Sequence, residues 1–145
     1  MFSYLNARRP DLFATAFAKQ ILEIEDGKRE VLEHGNLDTV RTFIDVREAA
    51  EAYWIATQKC KMGDVYNIGG NVGIRIGDFL DMLIYKMGVP VKIYQNPKLM
   101  RPSDITVQIP DMSKFTKQTG WKPTIPFDKS VDYFIDELYK IWGKK

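Results

Sequence analysis

From Pro10 to Trp142 the chain alternates between stretches that place apolar residues at helical spacing and short extended stretches, with glycine or proline at the junctions. A face repeating every 3.6 residues cannot serve as a strand, and a strand read on two-residue alternation cannot serve as a helix, so this alternation restricts the chain to an α/β class. The first helix is predicted over Asp11–Asp26, with Phe13, Phe17, Gln20, Ile21 and Ile24 on one stripe and Gly27 as its stop. Extended pieces follow at Arg29–His34 and Val40–Ile44. Asp45 sits where an N-cap belongs and Glu48, three residues on, is placed to return the bond, which starts a helix through Ala49, Ala50, Tyr53 and Trp54. Val65–Ile68 reads as a strand covered on both faces. A glycine-rich turn leads to a helix carrying Ile76, Phe79, Leu80, Leu83, Ile84 and Met87, closed by Gly88 and Pro90. Val91–Tyr94 and Ile105–Ile109 are extended, Ser113–Thr119 forms a short helix ending at Gly120, and a last helix spans Phe127 to Trp142. The stripes are core faces rather than cofactor boxes. There are few parallel neighbours for Val65–Ile68, so part of its sheet is expected to be missing.

The 145 residues, 45% hydrophobic, suffice for one domain with its own core, read as residues 1–145. A formal net charge of +2 is far from the excess needed to neutralise many phosphates, which argues against nucleic acid and suits a ligand with a single diphosphate. One cysteine, Cys60, excludes an intramolecular disulfide framework. With no membrane-length apolar run and no signal-like start, the chain is expected in the cytoplasm, away from membranes.

The order strand, glycine turn, helix around Gly70, Gly73 and Gly77 invites a dinucleotide-binding reading, but the spacing is not G-x-G-x-x-G and no acidic residue follows to hold a ribose. Tyr94 and Lys98 have the four-residue spacing of a tyrosine–lysine acid–base pair, yet Pro97 between them breaks the helix that would make them neighbours. His34 is the one histidine, which excludes a multi-histidine metal site, and it is read as a surface or strand-end residue. No catalytic, cofactor or metal residue is assigned. The arginines remain. Arg101 is held extended by Pro102, with Asp104 three residues on, a pair suited to gripping phosphate oxygens and a ribose diol. Arg8, Arg9 and Arg41, each taken alone, read more readily as solvated charges or local ion-pair partners than as ligand contacts.

Several segments together resemble one family. Asn6-Ala-Arg-Arg-Pro-Asp-Leu-Phe13, Phe17-Ala-Lys-Gln-Ile21, Gly35-Asn-Leu-Asp-Thr-Val-Arg41 with Phe43-Ile-Asp-Val-Arg47, Val65-Tyr-Asn-Ile68, Arg101-Pro-Ser-Asp104 and Thr119-Gly-Trp-Lys-Pro123 look like the C-terminal half of GDP-mannose 4,6-dehydratases and GDP-4-keto-6-deoxymannose reductases. The resemblance implies the sugar-nucleotide-binding part of an extended short-chain dehydrogenase, whose other half binds NADP and carries the catalytic Tyr and Lys. It implies a chain that is not catalytic by itself and binds no cofactor alone. Arg41 and Arg101 would hold the diphosphate, Asp104 the ribose, and the Arg8–Arg9 segment would line the nucleotide pocket of a GDP-linked sugar. Ser3, Asn6 and Ala7 depart from the family's Asn, Gly and Pro, and Lys19-Gln20 departs from its Arg-Lys, which leaves dehydratase and reductase parentage both open. Partners implied are the sugar nucleotide and either an NADP-binding half or further copies of the chain; a remnant without function is the other alternative.

Overall fold

A computed structural model describes residues 3–143; Met1, Phe2, Lys144 and Lys145 lie outside the described residues. Its elements run β1 (Tyr4–Leu5), α1 (Phe13–Glu25), β2 (Val31–His34), β3 (Val40–Thr42), β4 (Ile44–Asp45), α2 (Val46–Lys59), β5 (Gly73–Arg75), α3 (Ile76–Met87), β6 (Lys92–Gln95), β7 (Val107–Gln108), α4 (Ser113–Thr119) and α5 (Phe127–Trp142). All five expected helices form within a few residues of their predicted limits. Gly88 and Gly120 close α3 and α4 in the left-handed conformation at φ 68° and 76°, which a Cβ would strain.

Among the described residues the strands form three small sheets: β1 with β4, β2 with β6, and β3 between β5 and β7. The first two pairs are parallel, and β3 runs antiparallel to β5 and parallel to β7. Part of the glycine-rich stretch is thus a strand, with Gly73 opposite Thr42, rather than only a turn.

Val65–Ile68 departs from expectation. It has no ladder partner among the described residues, and Val65 is 79% exposed while Ile68 is buried. A strand covered on both faces needs a hydrogen-bonded neighbour on at least one side, and the described residues supply none. Side chains hold it instead: Asn67 Nδ2 donates to Asp111 O at 3.2 Å and Lys114 Nζ to Val65 O at 3.0 Å.

Two apolar clusters carry the packing. The larger joins α1, α3 and α5 through Phe17, Ile21, Phe79, Leu83, Phe134 and Leu138; the smaller gathers Ile44, Ala49, Ala52, Ile68, Phe115 and Trp121. Successive residues serve different clusters, Phe43 the first and Ile44 the second. Phe43 stacks on Phe79 with centroids 5.2 Å apart and meets Phe13 edge-on at 5.7 Å, so the core's aromatic group reaches the start of α1.

The junction before α2 is capped half as predicted. Asp45 Oδ1 accepts from Arg47 N at 2.9 Å, the expected N-cap bond. Glu48 does not return it. Its buried carboxylate instead accepts from the backbone N–H groups of Thr124 and Ile125 and from the Thr124 hydroxyl, which fixes the loop that leads into α5. Arg47 also lies over the Tyr133 ring at 3.9 Å, a second tie between α2 and α5.

Candidate functional site

The end of β2, the following turn and the facing side of α1 enclose a cavity of about 310 Å³, within the range of roughly 300–1,000 Å³ usual for small-molecule sites. Phe13, Phe17 and Gln20 come from α1, Glu33 to Asn36 from the end of β2, Thr39 and Arg41 from β3 and its approach, and Leu99, Arg101 and Asp104 from the stretch after β6. Gly35 is required for this closure: a Cβ there would lie 2.5 Å from Leu99 O. A second cavity of about 420 Å³ shares Phe13 and Arg41 with the first and extends to Ser3, Tyr4 and Gln108. Arg41 therefore stands where two adjoining cavities meet.

Three of the five arginine and aspartate residues singled out from sequence converge here, Arg41 from a part of the chain distant from Arg101 and Asp104. Arg41 Nη2 pairs with Asp104 Oδ1 at 3.3 Å, and Arg41 Nη1 donates to Val40 O at 2.9 Å. Asn36 Nδ2 reaches Asp104 Oδ2 at 3.5 Å. The side chains of Arg41 and Asp104 are 14% and 23% exposed, so the pair is largely withdrawn from water while still facing the cavity. The guanidinium of Arg101 has no hydrogen-bond or ion-pair partner among the described residues and is available for an anion.

Arg8 and Arg9 lie outside this cavity. Arg9 is tied to Asp11 through Nε at 2.8 Å and Nη2 at 2.6 Å, and the hydrogen bond from Arg9 holds the Asp11 carboxyl down to about 2. Arg8 borders a separate groove against Tyr133, Glu137 and Ile141. The turn that carries them is instead anchored to the helices: Asn6 O accepts from the Thr15 hydroxyl at 2.8 Å and Ala7 O from Trp142 Nε1 at 2.8 Å.

Sequence reasoning passed over Asn36, Thr39 and the lining role of His34. For Asn36 and Thr39 the available signal was their place in the run from Gly35 to Arg41, immediately after a strand, where ligand-contacting residues gather. His34 does end a strand, but it is buried rather than on the surface.

A Cβ on Gly70 would lie 2.1 Å from Phe43 O, so this glycine serves close backbone packing, and Gly73 is paired within β5. Tyr94 lies on β6 and Lys98 in the 3-10 turn Pro97–Leu99, so no helix makes them neighbours. Among the described residues no group of three or more His, Cys, Asp or Glu is placed to hold a metal ion, and no helix is long and apolar enough to cross a membrane.

The profile described as GDP-mannose 4,6 dehydratase matches residues 1–134. The chain belongs to that family. Similar proteins include the GDP-6-deoxy-D-mannose reductase of Pseudomonas aeruginosa, 28% identical over 138 residues, and GDP-mannose 4,6 dehydratase 2 of Arabidopsis thaliana, 29% identical over 140 residues. Each alignment takes in 94% of this chain but 45% and 37% of the relative, so the chain spans less than half the length of the relatives it matches. Among solved structures, RMD from Pseudomonas aeruginosa complexed with NADPH matches the fold with a TM-score of 0.83 at 22% identity, over 96% of this chain and 46% of that one. UDP-glucuronic acid 4-epimerase from Bacillus cereus, in complex with UDP-glucuronic acid and NAD, matches with a TM-score of 0.80 at 23% identity, over 97% and 44%. The architecture is that of the NAD(P)-dependent epimerase/dehydratase fold, matched over less than half of each solved chain.

Proposed function

We propose that residues 1–145 form a sugar-nucleotide-binding unit that takes a GDP-linked, manno-type sugar and does not carry out hydride chemistry alone. The observation that supports this reading is the convergence of Arg41, Arg101 and Asp104 on one cavity. Arg101 binds the diphosphate directly. Arg41, oriented by Asp104 and the Val40 carbonyl, supplies the second cation, and Asp104, with lone pairs still free, accepts from the ribose hydroxyls. The sugar enters the adjoining cavity beside Ser3. Titrating GDP-mannose into the chain and into Arg101→Ala and Arg41→Ala tests this: each loss should weaken binding by about 1.5–3 kcal/mol, the range for hydrogen bonds to charged groups, and unchanged affinity in both variants overturns it.

A second reading concerns partners, either an NADP-binding half carried on another chain or further copies of this one. It is favoured by the ladderless Val65–Ile68 segment and by the exposure of Trp54 at 68% and Met62 at 98% nearby in sequence. In either form the partner would supply the backbone groups that this segment lacks. Dehydratase and reductase relatives are equally near, at 29% and 28% identity, so parentage stays with the part of those proteins that this chain does not match.

A further inference from the structure

Most polar side chains lining the first cavity are already engaged by the protein. Gln20 is bonded through both ends of its amide to the backbone of Glu33, at 3.1 and 2.8 Å. Glu33 accepts from Asn96 Nδ2 at 3.0 Å, and Asn36 caps Asp38 N at 2.9 Å. His34 is different. It is only 7% exposed, it lines the cavity, and its Nδ1 lies 2.8 Å from Gly35 O. A carbonyl oxygen can only accept, so the proton must be on Nδ1, and the neutral imidazole then carries a lone pair on Nε2. Nε2 has no partner among the described residues. An acceptor left open toward a cavity in which Gln20, Glu33 and Asn36 are already engaged is the arrangement of a specificity contact, because the ligand lacking the matching donor leaves it unpaired.

Resting on the nucleotide reading above, we propose that His34 sets the base preference of the cavity by accepting from the Watson–Crick edge of guanine, with the ring held between the apolar faces of Phe13, Phe17 and Leu99. Guanine offers N1–H and the 2-amino group side by side. Adenine places a lone pair at N1 with only C–H beside it, so the same pose sets two lone pairs against each other. The cationic pair Arg41 and Arg101 serves any nucleoside diphosphate alike; His34 separates them.

The test is calorimetric titration of GDP and ADP into the full chain and into His34→Phe, which keeps an aromatic ring but no acceptor, at about pH 8, above the usual imidazole range. The unaltered chain should prefer GDP by about tenfold or more, and His34→Phe should lose about tenfold in GDP affinity with little change for ADP. Equal affinity of the unaltered chain for GDP and ADP overturns the inference whatever the variant does, and so does a preference that survives in His34→Phe. If both nucleotides bind alike and binding still collapses in Arg101→Ala, the nucleotide reading stands and only the role of His34 falls. If neither nucleotide binds the unaltered chain, both fall together.

Discussion

The two cavity arginines differ in what they already touch, and this separates their predicted phenotypes. Arg101 has no partner among the described residues, so Arg101→Ala should cost affinity for a GDP-sugar and leave stability within about 0.5 kcal/mol of the parent. Arg41 neutralises a carboxylate that is only 23% exposed, so Arg41→Ala strands Asp104 beside Asn36 alone and should cost about 1 kcal/mol or more of stability besides the affinity. Urea unfolding of both variants next to binding isotherms distinguishes the two; equal stability loss in both contradicts the assignment. That Arg101 and Asp104 would face one cavity together was legible from sequence because Pro102 constrains the backbone between them. His34 was not, since a lone histidine at a strand end carries no sign of its own burial. Arg8 and Arg9, singled out by motif, stand apart from the first cavity, and Arg9 is paired with Asp11 two positions on.

At the level of elements, the α2 start combines a cap with an ion pair. Burial pushes the Asp45 carboxyl up, but the hydrogen bonds from the Arg47 side chain and backbone outweigh it and leave the group below the ordinary carboxylate range. A folded-state value below the unfolded one means that the stabilisation is complete above about pH 4 and drains away as pH falls through the lowered folded value. Asp45→Ala should therefore cost about 1–2 kcal/mol at neutral pH, a cost that narrows toward acid below about pH 4 in melts recorded against pH. A pH-independent difference contradicts the charged cap. The helices could be read from sequence because a long stripe repeats its own signal every turn. The strands here are two to four residues long and owe their existence to partners distant in the chain, so β1 and β5 gave no local signal and Val65–Ile68 gave a false one. Its apolar residues would suit a sheet, but no described strand lies beside it. Glu48 was misassigned for a related reason: the capping-box spacing was present, and the loop at Thr124 and Ile125, unseen from the local sequence, competed successfully for its carboxylate.

For the whole molecule, the fold matches its relatives over nearly all of this chain and less than half of theirs. The ladderless segment Val65–Ile68 and the exposed Trp54 and Met62 nearby in sequence predict concentration-dependent self-association in sedimentation experiments, reduced by Trp54→Glu or Val65→Lys; a monomer at all concentrations contradicts self-association as the use of these residues. Binding of the GDP-sugar by the cavity around Arg41, Arg101 and Asp104 is tested most directly by a thermal melt of the unaltered chain with GDP-mannose, GDP and a UDP-sugar. A ligand that binds only the folded state at about a hundredfold excess over its Kd adds about 2.7 kcal/mol, enough to raise the midpoint by several degrees. The expected result is a rise with GDP-mannose and GDP that the UDP-sugar does not match and that Arg101→Ala abolishes. A cooperative melt whose midpoint none of the three ligands moves would contradict it.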